Sequence, residues 1–455
     1  MQSTAENIAA YASALKYEDL PPEVIHQTKR TIMDTLGCAL GGYASEPGRI
    51  AREMAALVTA GQATTIICSG QKTSVDLATF ANGVMIRFLD FNDGYISHGS
   101  GHPSDSIAPL LSAAEIAHAG GRELIVATVL AYEIYCRFCD GWDNKSCGID
   151  HVTAGGIAGV VGAARLLRLT QQQMVEAINI LVAGNIAINQ TRVGNISQWK
   201  SCAAANANRN ALFAVQLAAR GMSGPSPIFE GRNGFFNILS RQKVSLTPFG
   251  GNGHTFRIMQ ASTKRFPLAQ YAQTVVTAAL EVRPLIANLN DIAEVHLRVS
   301  QKVLNTLQDD REKWRPRNRE TADHSEPYAA AVALKYGTIE RTHFDEKYFL
   351  HDNELLDLVS RIKCSASEEA NRRDSEIKLC ELDVTMRSGE RKSVRVEHHR
   401  GHWRNPMSDA EMESKLRALA ADLLPISQVD VLLEQLWKLD ELPDIGTLIE
   451  LTCRK

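Results

Sequence analysis

The stretch AGGIAGVVGAARLL, residues 154–167, decides the fold class, because small residues dominate a segment of helical character. A second stretch of the same kind, CAAANANRNALFAVQLAARG, covers residues 202–221. Glycine and alanine are depleted in strands, whereas their small size lets two helix backbones approach closely. The capping-box spacing from Ser3 to Glu6 marks a further helix start. The sequence therefore predicts a compact helical bundle over residues 1–265.

The pattern changes near residue 266, where alternating β-branched segments appear beside helical ones. Residues 293–300, AEVHLRVS, alternate as a half-buried strand does. Residues 382–399, LDVTMRSGERKSVRVEHH, predict two strands joined at Ser388 and Gly389. Helical periodicity returns after Pro406. We predict a mainly α fold, in which a large all-helical domain (residues 1–265, with 405–455 packing back onto it) accompanies a smaller α+β domain (residues 266–404).

Composition and charge exclude several classes of protein. The 455 residues are 44% hydrophobic and 22% charged, with a formal net charge of -3, which is typical of a soluble globular protein and not of a nucleic-acid binder. The longest apolar run, LIVATVLAY from Leu124, is too short to cross a bilayer. The N-terminus lacks the features of a signal peptide, and nine cysteines, an odd number, fit reduced thiols. We expect a cytoplasmic protein without a nucleic-acid or membrane partner.

The segment LDFNDGYISHGSGHPSD, residues 89–105, gathers three acids and two histidines around glycines. Asp90 and His102 have the chemistry of a general acid/base pair, because an imidazole titrates near working pH and a carboxylate orients it. The same residues also fit a capped helix start with Pro103 in its first turn. The local pattern leaves both interpretations open.

His151 begins the small-residue helix in GIDHVTAGG. Helix starts attract anions, so this histidine either contacts a substrate carboxylate, exchanges a proton, or has a structural role. Gly155, Gly156 and Gly159 come after it, but no strand precedes them and no strict GxGxxG occurs. Tight helix packing explains these glycines better than a dinucleotide-binding loop.

Two lysines and a tyrosine are further candidates. Lys200 and Lys264 lie in apolar or small-residue surroundings, where a desolvated ammonium either holds a carboxylate or extends to solvent. Tyr328 comes early in a predicted helix and is either a proton donor or a packing residue. A metal alternative rests on Cys136 and Cys139, but their C-x-x-C lies in a helical run without a second pair. We predict no metal site.

Six short sequence motifs follow in order along almost the whole chain: LDFND, GHPSD, DHV, the lysine segment WKS, KRFP and RETADHSEPY. Their order and separations resemble the MmgE/PrpD family, and RETADHSEPY is similar to the corresponding segment of 2-methylcitrate dehydratases. The family also contains cis-aconitate decarboxylases and an iminodisuccinate epimerase. The resemblance implies a large helical domain with a smaller α+β lid, usually as a homodimer, and chemistry without a cofactor.

By the same resemblance, the site lies between the domains. The residues that match the family's motif positions are Asp90, His102, His151, Lys200, Lys264 and Tyr328. In this scheme His102 or His151 is the base, Tyr328 or the other histidine donates a proton, and the two lysines with Arg265 bind the anionic substrate. The chain departs from decarboxylase-like members at Gly94, where they carry a threonine.

The implied reaction removes a proton beside a carboxylate and expels a hydroxyl as water. The expected substrate is a small hydroxy tricarboxylate such as 2-methylcitrate, which would place the protein in propionate catabolism. Alternatives are a decarboxylase of the cis-aconitate type or an epimerase of a dicarboxylate such as iminodisuccinate. A non-catalytic scaffold that retains the fold is a more remote alternative.

Overall fold

The computed structural model describes residues 2–307 and 310–454. Helices account for 58% of it, so the prediction of a mainly α protein is confirmed. Nine helices make up the first part of the described chain: α1 Thr4–Ala14, α2 Pro22–Gly42, α3 Glu46–Ala56, α4 Val75–Phe88, α5 Ile107–Ala117, α6 Gly121–Gly141, α7 Val152–Leu166, α8 Gln171–Gly184 and α9 Trp199–Ala219.

Among the described residues, none of the remaining helices is longer than 12 residues. In the middle of the described chain they are α10 Ala272–Val282, α11 Gln301–Leu307, α12 Arg311–Trp314, α13 Arg319–Ala322, α14 Glu326–Tyr336, α15 Glu346–Phe349, α16 Asn353–Ser360 and α17 Glu368–Arg372. Towards the C-terminus they are α18 Asp409–Ala420, α19 Ile426–Trp437 and α20 Gly446–Leu451. The predicted capping box at Ser3 is present, and a second one at Ser408 begins α18.

Strands are few and short in the first part of the chain. Two antiparallel pairs occur there: β1 Ala63–Thr65 with β2 Lys72–Ser74, and β3 Tyr95–Ile96 with β4 Ser100–Gly101. A four-stranded sheet, in the order β6-β5-β7-β8, consists of β5 Ile292–Val299, β6 Ile362–Ala366, β7 Cys380–Met386 and β8 Arg391–Val396. β5 runs parallel to β6 and antiparallel to β7. The predicted hairpin is confirmed, because β7 and β8 pair across a turn in which Gly389 has a φ of +89°.

Most buried apolar residues fall into two clusters. One draws on residues 5–261 and 407–449, and the other on residues 266–396. Lys415 of α18 pairs with Asp34 of α2 at 2.6 Å, which ties the C-terminal helices to the first cluster. The domain boundaries remain a prediction. A cavity lies between the two clusters of buried residues.

Close helix packing explains the small residues that decide the fold. A Cβ added to Gly159 of α7 would lie 2.6 Å from Oδ1 of Asn208 on α9. One added to Gly162 would lie 2.4 Å from Cδ2 of Leu110 on α5. Side chains at these positions would force the helices apart, so the glycines belong to the packing of the bundle. No helix in the described part of the chain is long and apolar enough to cross a membrane.

Candidate active site

A cavity opens between the two clusters of buried residues, with an empty volume of about 570 Å³ including its mouth. The loop after α4, the start of α7 and the segment before α10 all contribute to its wall. The lining residues are Arg87, Asp90, Tyr95, Ser100, Gly101, His102, Lys145, His151, Arg192, Ala269, Gln270, Tyr271, Thr306 and His324.

The loop after α4 presents Asp90 and His102 to this cavity. Asp90 has a φ of +49°, a left-handed conformation that aspartate tolerates better than most residues. Its carbonyl accepts a hydrogen bond from Lys264 Nζ at 2.8 Å, and its Oδ1 accepts one from Arg87 Nη1 at 2.6 Å. These contacts hold the strained residue in place. Pro103 does begin a short 3₁₀ turn, so the catalytic and the helix-start interpretations of this loop are compatible.

The hydrogen bonds of His102 fix its tautomer. Nδ1 lies 2.6 Å from the carbonyl oxygen of Asp93, so this nitrogen carries the hydrogen and donates it. Nε2 is then unprotonated, and it lies 4.0 Å from Oδ1 of Asp90. Burial, with the positive charges of Arg87 and Lys264, lowers the pKa of His102 well below its usual range. His102 is therefore a neutral imidazole with a bare nitrogen at the cavity.

His151 has the complementary arrangement. The Tyr135 hydroxyl accepts the backbone N–H of His102 at 3.2 Å, and it lies 2.8 Å from Nδ1 of His151. The phenolic hydrogen therefore points to Nδ1, which leaves the hydrogen of the neutral imidazole on Nε2. Burial lowers the pKa of His151 to about 3. The two rings meet edge to face, with their centroids 5.2 Å apart.

A buried ion network lies beneath the cavity. Lys200 Nζ contacts Asp323 Oδ1 at 2.7 Å and Asp90 Oδ2 at 3.7 Å, and Lys264 Nζ bonds Asp90 Oδ1. Both lysines are 0% exposed. Burial would raise the pKa of Asp90, but Arg87 and Lys264 outweigh it and hold the pKa well below its usual range. The lysines thus neutralise carboxylates of the protein, and neither of them lines the cavity.

Asp90, Asp323 and His324 form the group of described residues whose side chains converge closely enough to hold a metal ion. His324 faces Asp323 Oδ1 through Nδ1 at 2.6 Å and Asp90 Oδ2 through Nε2 at 3.0 Å. The ammonium of Lys200 already supplies the positive charge between these carboxylates. The cluster is therefore best described as an ion network. Cys136 and Cys139 lie inside α6, where burial raises the pKa of both thiols and disfavours thiolate ligands.

Arg192 is a cavity residue that the motif comparison did not single out. Its Nε donates to Asp150 Oδ2 at 3.0 Å, and its Nη1 donates to the carbonyl of Lys200 at 3.1 Å. Its Nη2 is buried and has no hydrogen-bond partner among residues 2–307 and 310–454. The guanidinium of Arg192, a lining residue held by a carboxylate, is of the kind that binds a substrate carboxylate.

Two predicted site residues are not brought to the cavity. Tyr328 is buried, and its hydroxyl donates to the carbonyl of His343 at 2.6 Å, so it packs within the second core cluster. Arg265 is exposed, with its guanidinium 5.6 Å from the ring centroid of Phe266, and it faces a separate surface groove. Neither residue is among those that line the cavity, and their roles at a site stay predictions.

Gly94 has a structural counterpart in Gln270. A Cβ at Gly94 would lie 2.6 Å from Oε1 of Gln270, so this side chain fills the space that a larger residue would need. His399 Nδ1 donates to the carbonyl of Arg400 at 3.0 Å, so its Nε2 accepts the amide hydrogen of Gln270 Nε2 at 3.3 Å. Oε1 of Gln270 is then left buried, with no donor among the residues that the structure describes.

Two family models match the chain: the MmgE/PrpD N-terminal domain over residues 6–247 and the MmgE/PrpD C-terminal domain over residues 266–441. The chain belongs to the MmgE/PrpD family. The predicted resemblance is thereby confirmed. The C-terminal match extends past residue 404 into α18 and α19, whose buried residues pack with the first core cluster.

Named relatives of this MmgE/PrpD chain are lyases. It is 26% identical to human cis-aconitate decarboxylase over 99% of the chain and 95% of that protein. It is 27% identical to 2-methylcitrate dehydratase from Cupriavidus necator over 74% of the chain and 72% of that protein. The corresponding Escherichia coli K12 dehydratase is 25% identical over 89% and 87%. The MmgE/PrpD chain is accordingly an enzyme with a dehydratase or lyase role at the level of the family.

Proposed function

We propose that this protein is a hydro-lyase that dehydrates a small hydroxy tricarboxylate such as 2-methylcitrate. One observation carries the proposal: His102 presents an unprotonated Nε2 to a cavity that the guanidinium-bearing Arg192 also lines. A base beside a carboxylate-binding cation is what proton removal next to a carboxylate requires, because the cation stabilises the enolate-like charge that develops.

In this proposal His102 takes the proton through Nε2. The imidazolium that forms is stabilised by the Asp90 carboxylate, 4.0 Å away. His151 lies beside the substrate with its Nε2 3.5 Å from Asp150 Oδ1, and Arg192 binds a carboxylate. Lys200 and Lys264 act indirectly, by holding Asp90 ionised and oriented.

The resting tautomer favours dehydration over decarboxylation as the first chemistry. Loss of carbon dioxide begins without proton removal and ends with delivery of a proton to carbon, which calls for a protonated group. His102 is instead neutral and bare at Nε2. Gln270 Oε1, which has no donor within residues 2–307 and 310–454, supports a substrate that carries a hydrogen-bond donor, such as a hydroxyl group.

Cis-aconitate decarboxylation is the second candidate function. The human relative of that name aligns over 99% of this chain, further than the Cupriavidus necator dehydratase does. An epimerase of a dicarboxylate such as iminodisuccinate would share the initial proton removal and differ in the later steps. The products separate these reactions: water loss creates a double bond, decarboxylation releases carbon dioxide, and epimerisation changes only configuration.

The surrounding architecture is part of the same proposal. Residues 266–404 would act as a lid on the helical bundle, and the chemistry would need no cofactor. A homodimer is supported by two exposed aromatic side chains of α9, Trp199 at 50% and Phe213 at 57% exposure. Light scattering of the purified protein would test the dimer. We propose a cytoplasmic location, which fractionation can check, since one relative from Yarrowia lipolytica is named mitochondrial.

The test is a panel of di- and tricarboxylates that includes 2-methylcitrate, citrate, cis-aconitate and iminodisuccinate. The ultraviolet absorbance of a new conjugated double bond, carbon dioxide release and chiral analysis are monitored in parallel. Dehydration of 2-methylcitrate supports the proposal. Carbon dioxide release without dehydration would favour the second candidate, and no turnover of any acid would contradict the enzymatic assignment of the cavity.

The pH dependence of turnover gives a second test. His102 must be neutral to act as a base, and its pKa is lowered by burial and by Arg87 and Lys264. The active neutral form therefore persists as the pH falls through 6.5, the ordinary pKa of histidine. We expect kcat/KM to stay flat there and to decline only at a lower pH. A decline centred near 6.5 would show that the base is a solvated histidine elsewhere.

A further inference from the structure

Tyr271 is a cavity residue with no role in the proposal so far. It directly precedes α10, is 5% exposed and lines the same cavity as His102. Its hydroxyl lies 2.7 Å from Oγ of Ser100, which is two residues before His102 on the opposite side of the domain junction. The phenol and the proposed base thus reach one substrate volume from different parts of the chain.

Positive charge surrounds the Tyr271 ring. Lys145 Nζ lies 4.8 Å and Lys378 Nζ 5.2 Å from the ring centroid. Lys302 acts on the phenol at longer range, while Asp374 pairs with Lys378 at 2.6 Å. Burial alone would raise the pKa of Tyr271, but the three lysines outweigh it and, with the Ser100 hydrogen bond, lower the pKa below its ordinary value.

Other buried tyrosines near the site have the opposite environment. Burial raises the pKa of Tyr95, whose hydroxyl donates to Asp140 at 2.8 Å. Burial likewise raises the pKa of Tyr135 and of Tyr328. Their hydroxyls are committed to protein acceptors, whereas Tyr271 shares its hydrogen bond with another hydroxyl. The lysines around Tyr271 therefore distinguish it from these packing tyrosines.

We infer that Tyr271 is the general acid that protonates the departing hydroxyl, an inference that rests on the proposed dehydration. As His102 takes the proton from carbon, the electron pair of that C–H bond forms the double bond. The C–O bond breaks with its pair on oxygen, and this oxygen takes the phenolic proton and leaves as water. The phenolate that remains faces Lys145 and Lys378. After product release the imidazolium loses its proton and the phenolate regains one by exchange with solvent, so protons and charge balance.

His151 is the alternative proton donor, and its chemistry is less suitable. Its pKa is lowered to about 3 by burial, so the ring is neutral at working pH. The N–H of a neutral imidazole is a much weaker acid than a phenol with stabilising cations around it. We therefore assign hydrogen bonding to His151 and proton donation to Tyr271.

The direct test is Tyr271→Phe, which removes the hydroxyl and keeps the ring between the two lysines. Removing a general acid should lower kcat for 2-methylcitrate by about 10²–10⁴-fold with little change in KM. The alkaline limb of the pH profile, which reports ionisation of the acid, should disappear. Tyr11→Phe is the matched control, because the Tyr11 hydroxyl donates to the carbonyl of Gly250 outside the cavity.

A fluorinated analogue sharpens the result. In this analogue of 2-methylcitrate a fluorine replaces the hydroxyl that leaves. Fluoride leaves without prior protonation, so Tyr271→Phe should eliminate fluoride from the analogue at close to the wild-type rate. Lys145→Met provides a second variant, since removal of one ammonium should move the alkaline limb to higher pH without abolishing turnover. Circular dichroism and thermal melting establish that each variant is folded.

The outcomes are separable. If the wild-type enzyme dehydrates 2-methylcitrate while Tyr271→Phe retains its kcat and pH profile, the inference is wrong and the proposed function stands. If the turnover of the fluoro analogue by Tyr271→Phe falls as much as the turnover of 2-methylcitrate, the tyrosine has a structural role instead. If the wild-type enzyme turns over no acid in the panel, the proposed function fails, and the inference fails with it.

Discussion

The residues that line the cavity and the ion network beneath it share the Asp90 carboxylate but differ in how their charged groups are neutralised. In the network, each of Lys200, Lys264 and Asp323 has an oppositely charged partner. At the surface, Arg192 Nη2 and Gln270 Oε1 have no hydrogen-bond partner in the described residues. Leaving a buried polar atom unpaired costs free energy, so such atoms are expected where a ligand completes them. The comparison assigns scaffolding to the lysines and substrate contact to the surface groups.

Lys200→Met should have the largest effect on stability, because it leaves Asp323 and Asp90 without their shared cation. Removing one partner of a buried ion pair costs about 3–5 kcal/mol, and urea denaturation would measure it. Adding Asp323→Asn should recover part of the loss. Lys363→Met, at an exposed pair with Glu294, is the control and should change little. If the Lys200→Met variant is stable and only its KM is raised, Lys200 binds the substrate, as the sequence predicts.

Gly94→Thr tests the partnership with Gln270. The new side chain would meet Oε1 of Gln270, which lies 2.6 Å from the position of its Cβ. Overpacking of this kind costs about 1–3 kcal/mol, so we expect a lower melting temperature and reduced turnover. Gln270→Ala in the same chain should restore the melting temperature. Equal destabilisation in the single and double variants would show that Gln270 is not what excludes a side chain at Gly94.

Arg192→Lys separates charge from hydrogen bonding at the cavity surface. The ammonium can still pair with Asp150, but it lacks the planar fork of guanidinium nitrogens that binds a carboxylate through two hydrogen bonds. We expect KM to rise about 10-fold, equivalent to about 1.4 kcal/mol, with a smaller change in kcat. Steady-state kinetics provide the measurement. An unchanged KM would mean that the substrate carboxylate binds elsewhere.

Tyr328→Phe should have the smallest effect. The change deletes one buried hydrogen bond, to the carbonyl of His343, at a cost of about 1 kcal/mol. Turnover should be unaffected, because the hydroxyl does not reach the cavity. A large fall in kcat without a loss of stability would revive the proton-donor role that the motif comparison predicts for this residue.

Periodicity predicted the fold more completely than motifs predicted the site. Glycine-rich helices, the β7–β8 hairpin and the cap at Ser408 are local features, so their signals lie in neighbouring residues. Asp90, His102 and His151 were found because they stand in recognisable strings. The structure shows that Asp90 and the histidines meet at one cavity, while Lys200 and Lys264 lie behind Asp90.

Other site residues lacked a usable local signal. Arg192 and Tyr271 become cavity residues only through the packing of distant segments, and a single arginine or tyrosine in a sequence has no distinguishing pattern. His324 was within reach, since it stands in RETADHSEPY beside Asp323. Which atom of His102 carries its hydrogen depends on the Asp93 carbonyl nine residues away in the loop. The position of this hydrogen decides whether Nε2 of His102 acts as a base or as an acid, and the spacing of residues in the sequence does not reveal it.

The central claim is that Nε2 of His102 removes the proton beside the substrate carboxylate. Release of deuterium to solvent from 2-methylcitrate labelled at that carbon, monitored by NMR, measures the step directly. The wild-type enzyme should release the label, His102→Gln should do so about 10²–10⁴-fold more slowly, and the exposed control His118→Gln should match the wild type. Release by His102→Gln at the wild-type rate would contradict the account.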